Sequence, residues 1–260
     1  MNKTLDLLKN RMSLRKYDER PISEADLDLI LEGAMRAPTA GNMMMYSILV
    51  IKDEEKRKRL SETCDNQPFI AKAPVSLIFL ADMERICDYF TYSEVKEFCQ
   101  EKNMEYREPG FASLFLAVSD ALIAAQNAVV AAESLGVGSC YIGDIMENYE
   151  VHRELLNLPD RVFPIGMLCL GYYPEGAKRI ITPRFDKEYI VFDEEYRHLT
   201  DDEFKEMYKE REKRVTPQNV HGATNFGQML YSRKFGSEFF EEMERSIGVI
   251  IEQWMGKRKR

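Results

Sequence analysis

The stretch Phe111-Ala-Ser-Leu-Phe-Leu-Ala-Val-Ser-Asp120, Ala121-Leu-Ile-Ala-Ala-Gln-Asn-Ala-Val-Val130, Ala131-Ala-Glu-Ser-Leu135, closed by Gly136, is the longest apolar run in the chain and organises the rest. Its polar residues form two rows: Ser113, Asp120, Asn127 and Ser134, with Ser119, Gln126 and Glu133 beside them. Members of each row are seven residues apart, about two helical turns, so both rows share one narrow stripe. The other positions are apolar or small, among them Leu116, Val118, Leu122, Ile123, Ala124, Val129 and Val130. A helix apolar nearly all round is buried, either as a core helix with a wet seam or in a subunit interface. The interface is the favoured reading, because so much of its surface needs cover. Asp120, Gln126 and Asn127 argue against a membrane span.

Upstream of this helix, Leu5, Leu7, Leu8 and Met12 predict a short amphipathic helix leading into a basic turn, Arg11 to Tyr17. Ser23 followed by Asp26 is a capping-box pattern and predicts a helix to about Arg36. Pro38, Gly41 and Asn42 break it into a loop. Tyr46 to Ile51 and Pro74 to Leu80 read as buried strands, with a charged helix from Asp53 to Thr63 between them. A mixed helix is expected from Met83 to about Met104, then a polar loop, Glu105 to Gly110.

Downstream, Ser139 to Gly143 and Phe163 to Gly171 are strand candidates, with a short helix around Glu147 to Leu155 between them. Thr200 with Glu203 opens a charged helix that fades near Arg214. Residues 215–236 read as an irregular excursion, and Glu238 to Met255 as a closing helix. Helices and strands alternate without repeats, which argues for one α/β or α+β domain over residues 1–200. Residues 201–260 then form a helical extension, packed on the same domain or on a partner subunit.

Composition narrows the function classes. A chain of 260 residues is long enough for a sizeable core without disulfides or metal. The net charge of −8 gives no electrostatic footprint for nucleic acid, and the one basic cluster, Lys257 to Arg260, reads as a solvated end. Cys64, Cys87, Cys99, Cys140 and Cys169 are odd in number and lack C-x-x-C spacing. They suggest neither a disulfide framework nor a metal site, and a reducing cytoplasm suits them. The N-terminus lacks an apolar signal core.

Three short segments carry chemistry. Arg11 and Arg15 flank Ser13, a pattern able to hold a phosphate or a polarised carbonyl, although arginines in a loop are commonly just solvated. Pro38-Thr39-Ala40-Gly41-Asn42 offers a hydroxyl and an amide where the backbone can approach a ligand, or simply stops a helix. Tyr141-Ile142-Gly143-Asp144 ends a strand with backbone N–H groups at the sheet edge. His152, His198 and His221 sit in no catalytic arrangement, and G-x-G-x-x-G is absent.

Taken in order, these segments resemble the FMN-dependent nitroreductase family, most closely its NADPH-preferring, oxygen-insensitive nitroreductase and flavin reductase branch. The resemblance runs from about residue 5 to 200. It includes Arg11 to Tyr17, Pro38 to Asn42, Gln67, Ala125-Gln126-Asn127, Ala132 to Gly138, Tyr141-Ile142-Gly143, Cys169 to Tyr172 and Pro183-Arg184. It implies an α+β, three-layer fold with a central, mostly antiparallel sheet, in an intertwined homodimer with FMN at the interface. By resemblance Arg11 and Arg184 bind the FMN phosphate, next to Met12 and Thr182, with Ser13 at the ribityl chain and Arg15 near N1 and O2. Gln67 meets the pyrimidine edge, the Ile142 to Asp144 backbone reaches N5 with Tyr141 beside the cofactor, and Thr39 and Asn42 come from the partner's loop.

The implied activity is hydride transfer from NAD(P)H to FMN and onward to nitro compounds, quinones or flavins, by a ping-pong route with no catalytic side chain. Reduced FMN carries negative charge at N1, so a fixed cation there favours it. Two departures stand out. Met44, Met45 and Tyr46 replace the usual Gln-Pro-aromatic run, so Met43 to Met45 form either a pliable wall beside the flavin or core. Thr182 replaces a common lysine, leaving Lys178 or Arg179 as substitute cations. Arg233 and Lys234 are candidates for a nucleotide phosphate. A flavin-binding sensor without turnover, and a same-fold enzyme for dehalogenation or enone reduction, are the alternative readings.

Overall fold

The computed structural model describes residues 2–256, so the basic tail from Lys257 lies outside the described residues. In chain order its helices and strands are α1 (Lys3–Asn10), α2 (Glu24–Met35), β1 (Tyr46–Ile51), α3 (Glu54–Thr63), α4 (Pro68–Lys72) and β2 (Val75–Asp82). There follow α5 (Glu84–Tyr92), α6 (Val95–Glu101), α7 (Phe111–Ser134), β3 (Val137–Ile142), α8 (Tyr149–Leu156) and β4 (Val162–Tyr172). The last elements are α9 (Asp201–Glu212), α10 (Phe226–Arg233) and α11 (Glu238–Trp254). The chain forms two units: one runs through Ile180 and is rejoined from Met243, and the other is Ile181–Glu242.

The larger unit is built on one antiparallel sheet in the order β1-β2-β4-β3. Alternation along the strands gives it two apolar faces. On one, Leu77, Phe79, Leu168 and Leu170 pack against Leu27 and Ile30 of α2 and the alanines Ala121, Ala124, Ala125 and Ala128 of α7. Gly33 lets the two helices close up, since a Cβ there would sit 2.7 Å from Ala131 Cβ. The other face, with Ile78, Cys140, Met167 and Cys169, is covered by Leu60 of α3, Ile70 of α4 and Leu156 of α8. The result is the expected α+β architecture of helix, sheet and helix layers.

The end of α11 packs back on this unit. Trp254 meets Phe163 edge to face at 6.0 Å, and its indole N–H donates to Gly110 O at 3.1 Å. Val249 and Ile250 are buried with it, each such side chain stabilising by about 1.5–3 kcal/mol.

The polar stripe of α7 divides: Asp120 and Glu133 are buried and act as clamps, whereas Ser119, Gln126 and Ser134 stay exposed. Asp120, 2% exposed, accepts from Ala40 N at 2.9 Å and Met45 N at 3.1 Å. Asn127 Nδ2 donates to Gly33 O at 3.2 Å, and buried Glu133 accepts from the Tyr173 hydroxyl at 2.8 Å. The exposed side of the helix also carries large apolar residues: Phe115 is 70% exposed, with Phe111, Leu116, Leu122 and Ile123 also exposed.

Local signals fixed most element ends. Ser23 Oγ accepts from Asp26 N at 3.0 Å, but the Asp26 carboxylate accepts from the Tyr172 hydroxyl at 2.6 Å, a tertiary partner outbidding the box. At α9 both halves of the box form, between Thr200 and Glu203. The helix expected from Met83 to Met104 breaks into α5 and α6 where Glu94 turns left-handed, at φ 52°. Residues 215–236 are not wholly irregular: Asn225 caps α10, its side chain accepting from Gln228 N at 2.9 Å.

Candidate active site

Segment Arg11 to Tyr17 lies along the β3–β4 edge of the sheet, held by its backbone. Leu14 N donates to Ser139 O at 2.9 Å, Ser13 and Ser139 form a parallel bridge, and Asp18 N donates to Tyr172 O at 2.9 Å. Two glycines make the seat. Gly138 and Gly171 are cross-strand partners. A Cβ at Gly138 would fall 2.6 Å from Leu14 Cδ2, and one at Gly171 would fall 2.5 Å from Tyr17 Cδ1. The seat therefore depends on two missing methyl groups, the usual meaning of glycine inside a strand.

This seat brings together residues far apart in sequence. The Arg15 guanidinium lies 5.7 Å from the Phe69 ring centroid. Phe69 is in the short helix α4, entered through Gln67 with Pro68 in its first turn. Gln67 Nε2 donates to Asp144 Oδ2 at 2.8 Å and to Cys64 O at 3.0 Å. Both amide hydrogens are thereby engaged, which leaves the Gln67 carbonyl oxygen as its acceptor for a ligand. Asp144 follows Gly143 at the end of β3, and nothing lies within 4 Å of where a Gly143 Cβ would be. Gly143 is exposed while Ile142 beside it is buried.

Arg11 stands at the other end of the group. Its Nε is buried and has no hydrogen-bond partner, an arrangement that normally calls for an anionic ligand or water. Burial pushes the Tyr141 phenol up to about 12, opposed by the Arg11 guanidinium, so it stays a neutral hydroxyl at pH 7. Met12 is engaged through its sulfur, which accepts from Ile180 N at 3.3 Å.

The loop with Thr39 and Asn42 is elsewhere. It leads into β1, at the opposite edge of the sheet from β3, about 14 Å across three interstrand spacings. Asp120 holds its two ends, and Arg85 Nη2 donates to Met44 O at 2.5 Å and Tyr46 O at 3.0 Å. Thr39 Oγ1 accepts from Met44 N at 3.3 Å. Gly41 and Asn42, both at φ 55°, and Met44, at φ 50°, are left-handed; the conformation is free for glycine but strained for Met44, where it persists because these bonds over-determine it. Met45 is core, whereas Met43 is exposed.

Thr182 and Arg184 belong to the smaller unit. Arg184 Nη1 donates to Thr182 O at 2.9 Å, and both line a cleft of about 560 Å³ with Phe185, Lys209, Arg211 and Phe226. Arg211 stacks over the Phe185 ring at 3.8 Å. Lys234 sits over the Phe239 ring at 4.7 Å. Sequence reading passed over Lys209 and Arg211, because a charged amphipathic helix gives no sign of which cations meet an aromatic ring.

Protein nucleophiles and bases are not poised here. Burial pushes the Cys169 thiol up to about 12 and raises Cys140 and Cys64, so none is an activated thiolate. His152 is fully buried: Nδ1–H donates to Ile145 O at 2.9 Å and Nε2 lies 2.7 Å from Thr63 Oγ1. Burial lowers its pKa, so it is a neutral structural imidazole. The site can bind, orient and polarise, and it leaves electron chemistry to whatever it binds.

Comparison with known proteins shows the family. The nitroreductase family pattern matches residues 8–172. The FMN reductase (NAD(P)H) of Bacillus subtilis (strain 168) is 33% identical over 196 residues, 75% of each chain. The oxygen-insensitive NADPH nitroreductase of Salmonella typhimurium is 31% identical over 199 residues, 76% of this chain and 77% of that one. Among solved structures, an oxidoreductase of Bacteroides fragilis NCTC 9343 superposes with a TM-score of 0.80 at 32% identity, covering 96% of this chain and 98% of that chain.

Proposed function

Because the chain belongs to the nitroreductase family, we propose that it works as an NAD(P)H-dependent FMN oxidoreductase with its flavin seated on the β3 edge. The observation that carries this is the convergence of Arg11, Ser13, Arg15, Gln67 and the Ile142–Asp144 turn around one seat, with Arg11 Nε buried and unpartnered. These residues fit the group: cations for a phosphate and for the N1 edge, a carbonyl oxygen for the pyrimidine N–H, and open space over Gly143 for a planar ring. FMN supplies the chemistry when bound, accepting hydride from NAD(P)H and handing electrons to an oxidant.

The chain's own residues divide the remaining work. Arg11 holds the phosphate by charge-assisted bonds, with Met12 packed beside it. Ser13 faces the ribityl chain. Arg15, its guanidinium plane close to Phe69, supplies fixed positive charge where electron density builds, which raises the ease of reduction. Gln67, locked through Asp144, orients the ring by one acceptor, and the turn from Ile142 to Asp144 offers backbone N–H groups to N5. One open face serving nucleotide and oxidant in turn gives ping-pong kinetics.

Thr39 and Asn42 reach the flavin from a second copy. Two features support a homodimer: the loop lies at the wrong edge to serve its own chain, and α7 exposes Phe115, Leu116, Leu122 and Ile123. An apolar face of that kind is covered in obligate dimers. Nitro compounds, quinones and free flavins are the acceptor classes an open site of this type admits. Five free, buried cysteines suit the cytoplasm.

The test is direct. Purified protein is yellow and releases FMN on denaturation; anaerobic NADH or NADPH bleaches it, and a nitroaromatic or quinone restores the colour. Protein that neither carries nor takes up FMN defeats the proposal. FMN that no nicotinamide nucleotide bleaches makes the protein a binder without turnover.

A further inference from the structure

We infer that Glu133, Arg179 and Tyr173 form a positioning cluster for Arg11, fixing the phosphate-binding guanidinium without contacting phosphate themselves; this rests on the Arg11 role proposed above. With Thr182 in place of a lysine, the sequence offers Lys178 or Arg179 as a substitute cation. The surroundings of Arg179 give it other work. Arg179 Nη1 pairs with the buried Glu133 carboxylate and donates to Asn10 O at 3.1 Å. Its guanidinium carbon stands 4.4 Å above the Tyr173 ring centroid. The Tyr173 hydroxyl takes the second Glu133 oxygen at 2.8 Å. A cation already compensated by a buried carboxylate has little attraction left for a phosphate.

The Asn10 carbonyl is an unsatisfied end of α1, where a cation is favourable, and Arg11 follows it directly. The next residue in the Arg179 segment grips the far side, Ile180 N donating to Met12 Sδ at 3.3 Å. Residues 10 and 12 are thus both tied to residues 179 and 180, and Arg11 between them keeps a buried Nε without a partner. Glu133 anchors the arrangement to α7, the most heavily packed helix of the core. Tyr173 gains its place from Gly138, where a Cβ would lie 2.9 Å from Tyr173 Cζ. Burial and the Glu133 bond push the Tyr173 phenol up to about 12, which keeps it a donor.

Competition between FMN and riboflavin on the full-length flavoprotein isolates the phosphate contribution, because riboflavin lacks the phosphate. Arg11→Ala lowers the preference for FMN about tenfold or more if Arg11 binds phosphate. Glu133→Gln and Arg179→Ala each lower it about three- to tenfold with riboflavin affinity unchanged, by misplacing a charge-assisted bond. Tyr173→Phe keeps the ring under Arg179, is the mildest change, and lowers the preference about twofold.

Glu133→Gln gives the sign. If Arg179 touched phosphate, releasing it from Glu133 would raise the preference for FMN. A rise or no change in Glu133→Gln, or an equal loss of both flavins in all three variants, overturns the cluster. No loss in Arg11→Ala overturns the phosphate role of Arg11 instead.

Discussion

The two edges of the sheet, which we propose bear two halves of a flavin site, are built in opposite ways. At the β3 edge, the segment Arg11 to Tyr17 is unstrained and lies in a trough made by the absence of side chains at Gly138 and Gly171. At the β1 edge, the loop Thr39 to Met45 holds left-handed residues and is kept in shape by a buried carboxylate, Asp120. One half is positioned by shape, the other by charge. Shape tolerates sequence change wherever volume is conserved, whereas a buried carboxylate with two backbone donors has no close substitute. In the proposed dimer the difference has a logic, since one chain's two edges face apart and a second chain would bring them together.

The largest expected effect strikes the comparison itself. Phe115→Asp with Leu116→Asp puts charge on residues that are exposed in a single chain, so the isolated fold should survive while the proposed dimer and its flavin are lost. Sedimentation and bound-flavin absorbance check this; a yellow dimer of the double variant would mean that the halves do not meet across α7.

Asp120→Ala comes next. It leaves two buried N–H groups, of Ala40 and Met45, without an acceptor, and each such group costs about 1–3 kcal/mol. Urea unfolding should show a loss of about 3 kcal/mol, with hydrogen exchange rising first in residues 39–45. A loss under about 1 kcal/mol would mean that the loop is not held by charge.

The smallest effect separates the β3 side of the core from the site it supports. His152 has its pKa lowered by burial from the ordinary 6.5, so below that pH the unfolded chain takes up a proton that the folded one refuses. Stability therefore falls as pH drops from about 6.5 toward the folded value, by at most about 1.4 kcal/mol per pH unit. His152→Gln should flatten that slope without altering the preference for FMN over riboflavin. A slope unchanged in the variant assigns the acid sensitivity to other groups.

Much of the fold was legible in the sequence, because its signals are local. β1 follows the apolar run Tyr46 to Ile51, and α7 its Phe111 to Leu135 reading, within a residue. α4 was missed: its five residues are too few to show a period, and Pro68 reads as a breaker as readily as a helix start. α10 was hidden by the Gly- and Asn-rich composition around it. At the site, the residue types of Arg11, Ser13, Arg15 and Gln67 were readable by resemblance, but what holds them was not. Asp120 and Glu133 were counted as a polar seam because helical period assigns a face, not a partner. Gly138 and Gly171 carried a signal in principle, glycine amid strand residues, but the chain that fills the gap lies more than a hundred positions away.

That distance has a consequence for synthesis. Tyr17 leaves the ribosome long before Gly171, and its seat does not exist until Gly171 has emerged and β4 has paired with β3. The earlier-made segment therefore docks only after β4 has formed, and during elongation Arg11 and Arg15 remain on an unseated tether. Stalled chains ending before β4 should be cut by protease near Arg15, and chains released past Tyr172 should resist. Cofactor capture then reports on a finished sheet, so bound flavin marks those copies whose translation and folding have both run to completion.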